Sequence, residues 1–167
     1  WIVDELEASM VLYFTGKSRS SDAIISEQMK NTKDKNENAI EAMHVVKQTA
    51  IDMKTALLKG DINSLADILR ISWENKKKQS SHITNAMIDQ AMDVAFQHGA
   101  KAGKVSGAGG GGFIMFIVEP TKKKEVQEAL NELGGFTMPF SFTDGGVHGW
   151  KIYDTDQVDY QNLHLNS

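Results

Sequence analysis

The segment from Gly99 to Gly112 (GAKAGKVSGAGGGG) holds seven of the chain's 14 glycines and runs straight into the apolar hexapeptide Phe113 to Val118, FIMFIV. Four consecutive glycines, Gly109 to Gly112, lose more backbone freedom on ordering than any other tetrapeptide. A merely connecting turn has no need of them, so something must approach this backbone closely. The chemistry that most often calls for bare N–H groups without side chains in the way is anion binding, above all of phosphate. The run FIMFIV reads as a strand buried on both faces or nearly so. Because a strand follows the glycines, and not a helix, neither a Walker A loop nor a dinucleotide fingerprint fits, since both set phosphate on a helix N-terminus. On glycine content alone, a hairpin loop with no ligand is the alternative.

The rest of the chain supplies the scaffold. Ser9 to Phe14 is a β-branched and aromatic run ending in a turn at Thr15-Gly16-Lys17-Ser18. Ser20, Ser21 or Asp22 caps a helix toward Lys30, and a polar gap, Asn31 to Asn36, follows. From Glu37 to Leu58 the positions Ala39, Met43, Val46, Ala50, Met53 and Leu57 form one helical stripe, closed by Gly60. Asp61 or Asn63 caps a helix with Leu65, Ile68, Leu69 and Trp73 on one face. Thr84 or Asn85 opens another, with Met87, Ile88, Ala91, Val94 and Ala95 inward and Gly99 as its stop. Lys101 to Ser106 is a strand, Pro120 sits near a helix start, and Val126, Leu130 and Leu133 mark the inner side of that helix. Phe136 to Phe142 and Val147 to Tyr153 read as a hairpin about Asp144-Gly145-Gly146. This order predicts an α+β domain with a mostly antiparallel sheet and helices packed on one side.

Composition removes several classes. The 167 residues suit one domain, with no internal repeat or linker, and the absence of Cys excludes disulfides and thiolate metal sites. The five histidines lie too far apart for a local two-His metal motif, so no metal site is expected. A net charge of -4 argues against a nucleic-acid binder. No run reaches membrane-spanning length and no signal peptide is seen, which sets a cytoplasmic protein as the expectation. Gly16-Lys17-Ser18 imitates the end of a P-loop, but Val11 stands where that motif requires Gly. The chain begins at Trp1, so a protein cut from something longer is considered.

The phrase Lys104-Val-Ser-Gly-Ala-Gly-Gly-Gly-Gly-Phe113, with a helix before it and an apolar strand after, closely resembles the third conserved motif of the GHMP small-molecule kinases. Leu12 to Ser21 and Trp73 to Ser81, with Ile83 to Asp89, are similar to the branch of sugar 1-kinases acting on D-glycero-D-manno-heptose 7-phosphate. The likeness runs from about Glu5 to Tyr153. It implies a ferredoxin-like GHMP kinase C-terminal lobe over residues 1–153, followed by a polar tail, 154–167. It also implies that the N-terminal ATP-binding lobe, with its phosphate loop and any catalytic Asp, lies outside this chain.

By that resemblance Ser106, Gly107, Ala108, Gly109, Gly110, Gly111 and Gly112 line a phosphoryl-transfer site. Gly107, Gly109, Gly110 and Gly111 would offer backbone donors, and Ser106 a hydroxyl. ATP and Mg²⁺ are the implied cofactors, with the metal ligands outside the chain, and the sugar phosphate and the chain's own N-terminal lobe the implied partners. The catalytic residue stays unassigned. Thr15, Gly16 and Arg19 are candidates for the sugar or its 7-phosphate, because a guanidinium matches phosphate bidentately, although a capped surface turn explains them equally well. In Lys76, Lys77 and Lys78 successive side chains point about 100° apart, so one or two at most face a common cleft. Lys77 is the candidate, against a plain solvated helix end. His98 ends a helix, where a cation is favoured, and His148 carries no role. Two rivals stand beside the heptose reading: a kinase with a fucose-like acceptor, and a non-catalytic ferredoxin-like module holding an anion on its glycine loop.

Overall fold

The computed structural model describes residues 1–17 and 21–150. Among these, β1 (Met10–Phe14), β2 (Ala100–Val105), β3 (Phe113–Val118) and β4 (Phe136–Met138) form one sheet in the order β2-β3-β1-β4, with each neighbouring pair antiparallel. Six helices accompany them: α1 (Ile2–Ala8), α2 (Asp22–Lys33), α3 (Glu37–Lys59), α4 (Ile62–Lys77), α5 (Ala86–Gln97) and α6 (Lys123–Asn131). With α5 leading into β2 and α6 into β4, two βαβ crossovers interlock, which is the split arrangement of ferredoxin-like domains.

Side-chain alternation divides the core between the two sheet faces. Val11, Tyr13, Val105, Ile114, Phe116 and Val118 are buried in one cluster with Ile88, Ala91, Met92 and Ala95 of α5 and Val126 and Leu130 of α6. That is the expected helix layer. Ala102 and Ile117 point the other way and meet Ala66 and Leu69 of α4, with Met53 of α3 behind, so α4 also covers the β2 end of the opposite face. Toward β4 that second face is open. There Phe14 stacks between Phe113 and Phe136 at 5.0 and 5.3 Å, and Phe136 remains 49% exposed.

The caps follow local chemistry. Asn36 accepts from Ala39 N at 3.2 Å, Asp61 from Ser64 N at 2.9 Å, and Asn85 from Met87 N and Ile88 N at 3.1 Å, each satisfying a first-turn donor. Gly60 ends α3 in the left-handed region at φ 70°.

Four expectations change. Helix α1 has no counterpart in the sequence reading, because Leu6 alone in it is buried. Helix α2 runs through Asn31 to Lys33, beyond the expected stop, because Asn31 finds a partner across the fold: its Nδ2 donates to Gln79 O at 3.0 Å. The buried stripe of α3 is Ala39, Ala42, Thr49 and Ala56, rotated from the expected one, and Met43 is 41% exposed. Small residues win that face since α3 lies flat along α4. The strand from Phe136 stops at Met138, because Pro139 has no N–H for the ladder, and residues 139–150 form no regular element. The expected return strand therefore does not form over 147–150, and its last residues, 151–153, lie with the tail outside the described residues.

Gly103 on β2 faces Phe116, and a Cβ there would stand 2.7 Å from Met92 Sδ and from the Phe116 ring. Gly103→Val is expected to cost at least about 1–3 kcal/mol through overpacking, read as a lower urea midpoint at unchanged slope.

Candidate functional site

The glycine turn joining β2 to β3 is built by strain-tolerant backbone. Gly107, Gly109, Gly110, Gly111 and Gly112 all have positive φ, from 70° to 156°. Of these, Gly109 and Gly111 also need bare α-carbons: a Cβ would lie 2.7 Å from Ile83 O and 2.9 Å from Lys17 O respectively. Side chains are excluded at these two points by the neighbours that fix the turn.

Those neighbours come from two directions. Gly110 N donates to Ile83 O, and Gly112 N to Lys17 O, both at 2.8 Å. Asn85, already the cap of α5, donates from Nδ2 to Gly110 O at 3.0 Å. From the end of β1, Thr15 N donates to Gly112 O at 2.9 Å, and the buried Thr15 hydroxyl lies 3.0 Å from the same carbonyl and 3.1 Å from Lys17 O. Ser106 N closes the base of the turn on Phe113 O at 2.8 Å.

With those bonds made, the N–H groups of Gly107, Ala108, Gly109 and Gly111 have no acceptor among the described residues. The donors are therefore divided. Gly110 and Gly112 hold the turn in place, whereas Gly107, Ala108, Gly109 and Gly111 are free to bind. Ala108 also packs its methyl against the main core, so this short residue anchors a turn that glycine alone would leave loose. Ser106 is exposed at the rim.

The other sequence candidates separate. Thr15 is turned inward as a brace for the glycine turn, with its one proton directed at backbone oxygens. Gly16 supplies the left-handed φ of 79° that lets Lys17 O return to Gly112 N. Arg19 lies outside the described residues. Lys77 is turned to the helix surface, where its Nζ pairs with Glu74 at 2.8 Å and sits 6.0 Å from the Trp73 ring centre. It is the preceding residue that reaches the turn: Lys76 Nζ donates to Gly107 O at 2.6 Å. Lys76 and Lys104 are both partly buried, and burial lowers both ammonium pKa values, that of Lys76 further through the charge of Lys104.

A carboxylate cluster that the sequence did not reveal fixes the stretch just before Ile83. Glu27 of α2 accepts from Ser80 Oγ at 2.5 Å and from Ser81 N at 3.2 Å, and His82 Nδ1 lies 2.6 Å from its Oε2. The Ser80 hydroxyl foremost, then His82, holds the Glu27 carboxyl down at about 2 from an ordinary 4.5. Partners fifty residues distant carry no local signal, and Glu27 reads as an ordinary solvated position in its helix. Asn85 was legible as a cap but not as a clamp on Gly110. Among the described residues no group of three His, Asp or Glu side chains could hold a metal ion, and no helix is long and apolar enough to cross a membrane.

This fold and turn coincide with a known family. Residues 53–135, from the middle of α3 to the end of the α6 region, match the family described as GHMP kinases C terminal, and the chain thus carries the C-terminal domain of the GHMP kinases. Over 152 residues it is 45% identical to the D-glycero-alpha-D-manno-heptose 7-phosphate kinase of Campylobacter jejuni, covering 91% of this chain and 44% of that protein. The crystal structure of a D-glycero-D-manno-heptose 1-phosphate kinase from Bacteroides thetaiotaomicron superposes with a TM-score of 0.63 at 53% identity, over 92% of this chain and 39% of that one. More distantly, 90% of the chain aligns at 23% identity with 14% of the bifunctional fucokinase/GDP-fucose pyrophosphorylase of Arabidopsis thaliana. The chain spans less than half the length of each of these relatives.

The Glu27 carboxyl binds protons more weakly in the folded chain than in the unfolded one. Its contribution to stability is complete above about pH 4.5 and falls away as the pH drops toward 2. Acid titration of thermal stability is expected to show a steeper loss in this window for the wild type than for Glu27→Gln, which should start lower at pH 7 and vary less.

Proposed function

We propose that this chain is one lobe of an ATP-dependent sugar kinase that transfers the γ-phosphoryl group of ATP to the anomeric hydroxyl of D-glycero-D-manno-heptose 7-phosphate, giving the 1,7-bisphosphate. The observation that carries this reading is the set of free N–H donors at Gly107, Ala108, Gly109 and Gly111, on a turn that backbone carbonyls hold rigid. The 45% identity to a heptose 7-phosphate kinase supports the choice of acceptor.

In this reaction the acceptor oxygen forms a bond to the γ-phosphorus, the bond to the β-bridging oxygen breaks, and ADP departs with its electron pair. Charge is spread over three equatorial oxygens meanwhile, and positioned donors are the main source of stabilisation. The turn needs no reorganisation to meet that charge, because its conformation is set before anything binds. Among the described residues no carboxylate or imidazole is hydrogen-bonded to the turn itself, so these contacts assign no group to the acceptor's proton.

The donor set suits the phosphates of ATP. It does not suit Mg²⁺, which takes oxygen ligands and would meet amide protons and ammonium groups here, so the metal belongs with the nucleotide and with residues elsewhere in the whole protein. The relatives carry more than as much again in length, and that portion is the partner this lobe would close upon, at the rim where the glycine turn and the open aromatic end of the sheet lie.

A coupled ATP-consumption assay on the full-length gene product, with heptose 7-phosphate, fucose and galactose in parallel, tests the assignment. Turnover on the heptose phosphate is expected, falling by about 10²-fold or more in Gly109→Val, whose side chain would meet Ile83 O and displace the turn. Turnover on fucose alone would leave a kinase with the wrong acceptor, and turnover on none of the three would remove the reading.

A further inference from the structure

The lysines of the described residues divide between those with a carboxylate partner and those without. Lys77, Lys101, Lys122 and Lys124 each pair with a glutamate: Glu74, Glu119, Glu125 and Glu128. Lys76 and Lys104 have no carboxylate within ion-pair distance among the described residues. Yet these two are partly buried, where an unpaired ammonium is least tolerated.

Their placement follows from the two elements that carry them. On α4 the inward stripe Ala66, Leu69 and Trp73 leads in its last turn to Lys76, and on β2 alternation puts Lys104 on the same sheet face as Ala102, which α4 covers. Both ammonium groups thus arrive at the turn end of one seam. Lys76 Nζ there touches Gly107 O, the carbonyl of a residue whose own N–H is free. Nothing among the described residues neutralises this pair, and an anion set against the free N–H groups would.

We propose that Lys76 and Lys104, with the N–H groups of Gly107, Ala108 and Gly109, form a clamp for a phosphate dianion. It deepens the kinase reading and rests on that reading only for whose phosphate is held, the terminal group of the nucleotide or the phosphomonoester of the acceptor. Lysine suits the task because a compact ammonium on a flexible stem can leave Gly107 O for an arriving oxygen and return.

The first arm uses the full-length gene product with inorganic phosphate as the probe, titrated while the amide resonances of Gly107, Ala108 and Gly109 are followed. A saturable shift is expected, weakened about tenfold or more in Lys76→Met and in Lys104→Met, retained within about threefold in Lys76→Arg, and unchanged in the surface control Lys124→Met. Thermal melts run in parallel identify any variant that fails to fold, and Lys76→Arg then carries the comparison. No saturable response, or wild-type affinity in both methionine variants, would overturn the clamp.

The second arm measures KM in turnover. A rise confined to the sugar phosphate assigns the clamp to the acceptor, a rise confined to ATP assigns it to the donor, and unchanged values for both overturn it. A phosphate response without turnover on any sugar would sink the kinase reading and leave the clamp standing. Turnover with unaltered KM and no phosphate response would do the reverse.

Discussion

Two carbonyl oxygens govern this molecule's working end. Ile83 O and Lys17 O each accept one amide from the glycine turn, at Gly110 and Gly112, and each stands where a Cβ on a neighbouring glycine would collide. Backbone that could wander widely is thereby reduced to one shape, and the entropy lost is offset because the tethers come from parts already fixed: the start of α5 and the end of β1. The amides of Gly107, Ala108, Gly109 and Gly111 are left without an acceptor among the described residues. Preorganisation here is a matter of which donors are used up.

Behind those carbonyls stands a chain of support reaching well away from the turn. Ile83 follows the Ser80 to His82 stretch that Glu27 gathers in, and Gln79 accepts from Asn31 and Gln28 of α2. Helix α2 has few apolar contacts, with Ile24 alone fully buried, so polar bonds set its position. Positions remote from any ligand therefore bear on the turn's geometry through a short covalent path, a rigid coupling that requires no second conformation.

Much of this was legible in the chain. The glycine run, the apolar β3, the caps at Asn36, Asp61 and Asn85 and the stop at Gly60 follow from local chemistry, and the antiparallel α+β class follows from their order. What was not legible depends on partners distant in sequence. Lys77 and Lys76 are equivalent by composition, and only the angle at which α4 lies on the sheet decides which reaches Gly107 and which turns to Glu74. The α3 stripe was misjudged by a residue because methionines signal burial more loudly than the alanines that close helix packing requires. The early end of β4 turned on Pro139, a residue visible from the start whose missing N–H outweighed the alternation around it.

The sheet order also fixes when the protein can assemble. Central β1 pairs with β3 through Met10 and Ile117, and no strand near it in sequence is its neighbour. Loop closure over such a span is slow, and the early chain consists of helices whose mutual contacts are local. During synthesis the strand Met10 to Phe14 must emerge and wait, hydrogen-bonding edges unpaired, until the last third of the domain has left the ribosome. The glycine turn is then completed by the same event that closes the sheet, so its unpaired amides are in place only once this domain is almost wholly folded.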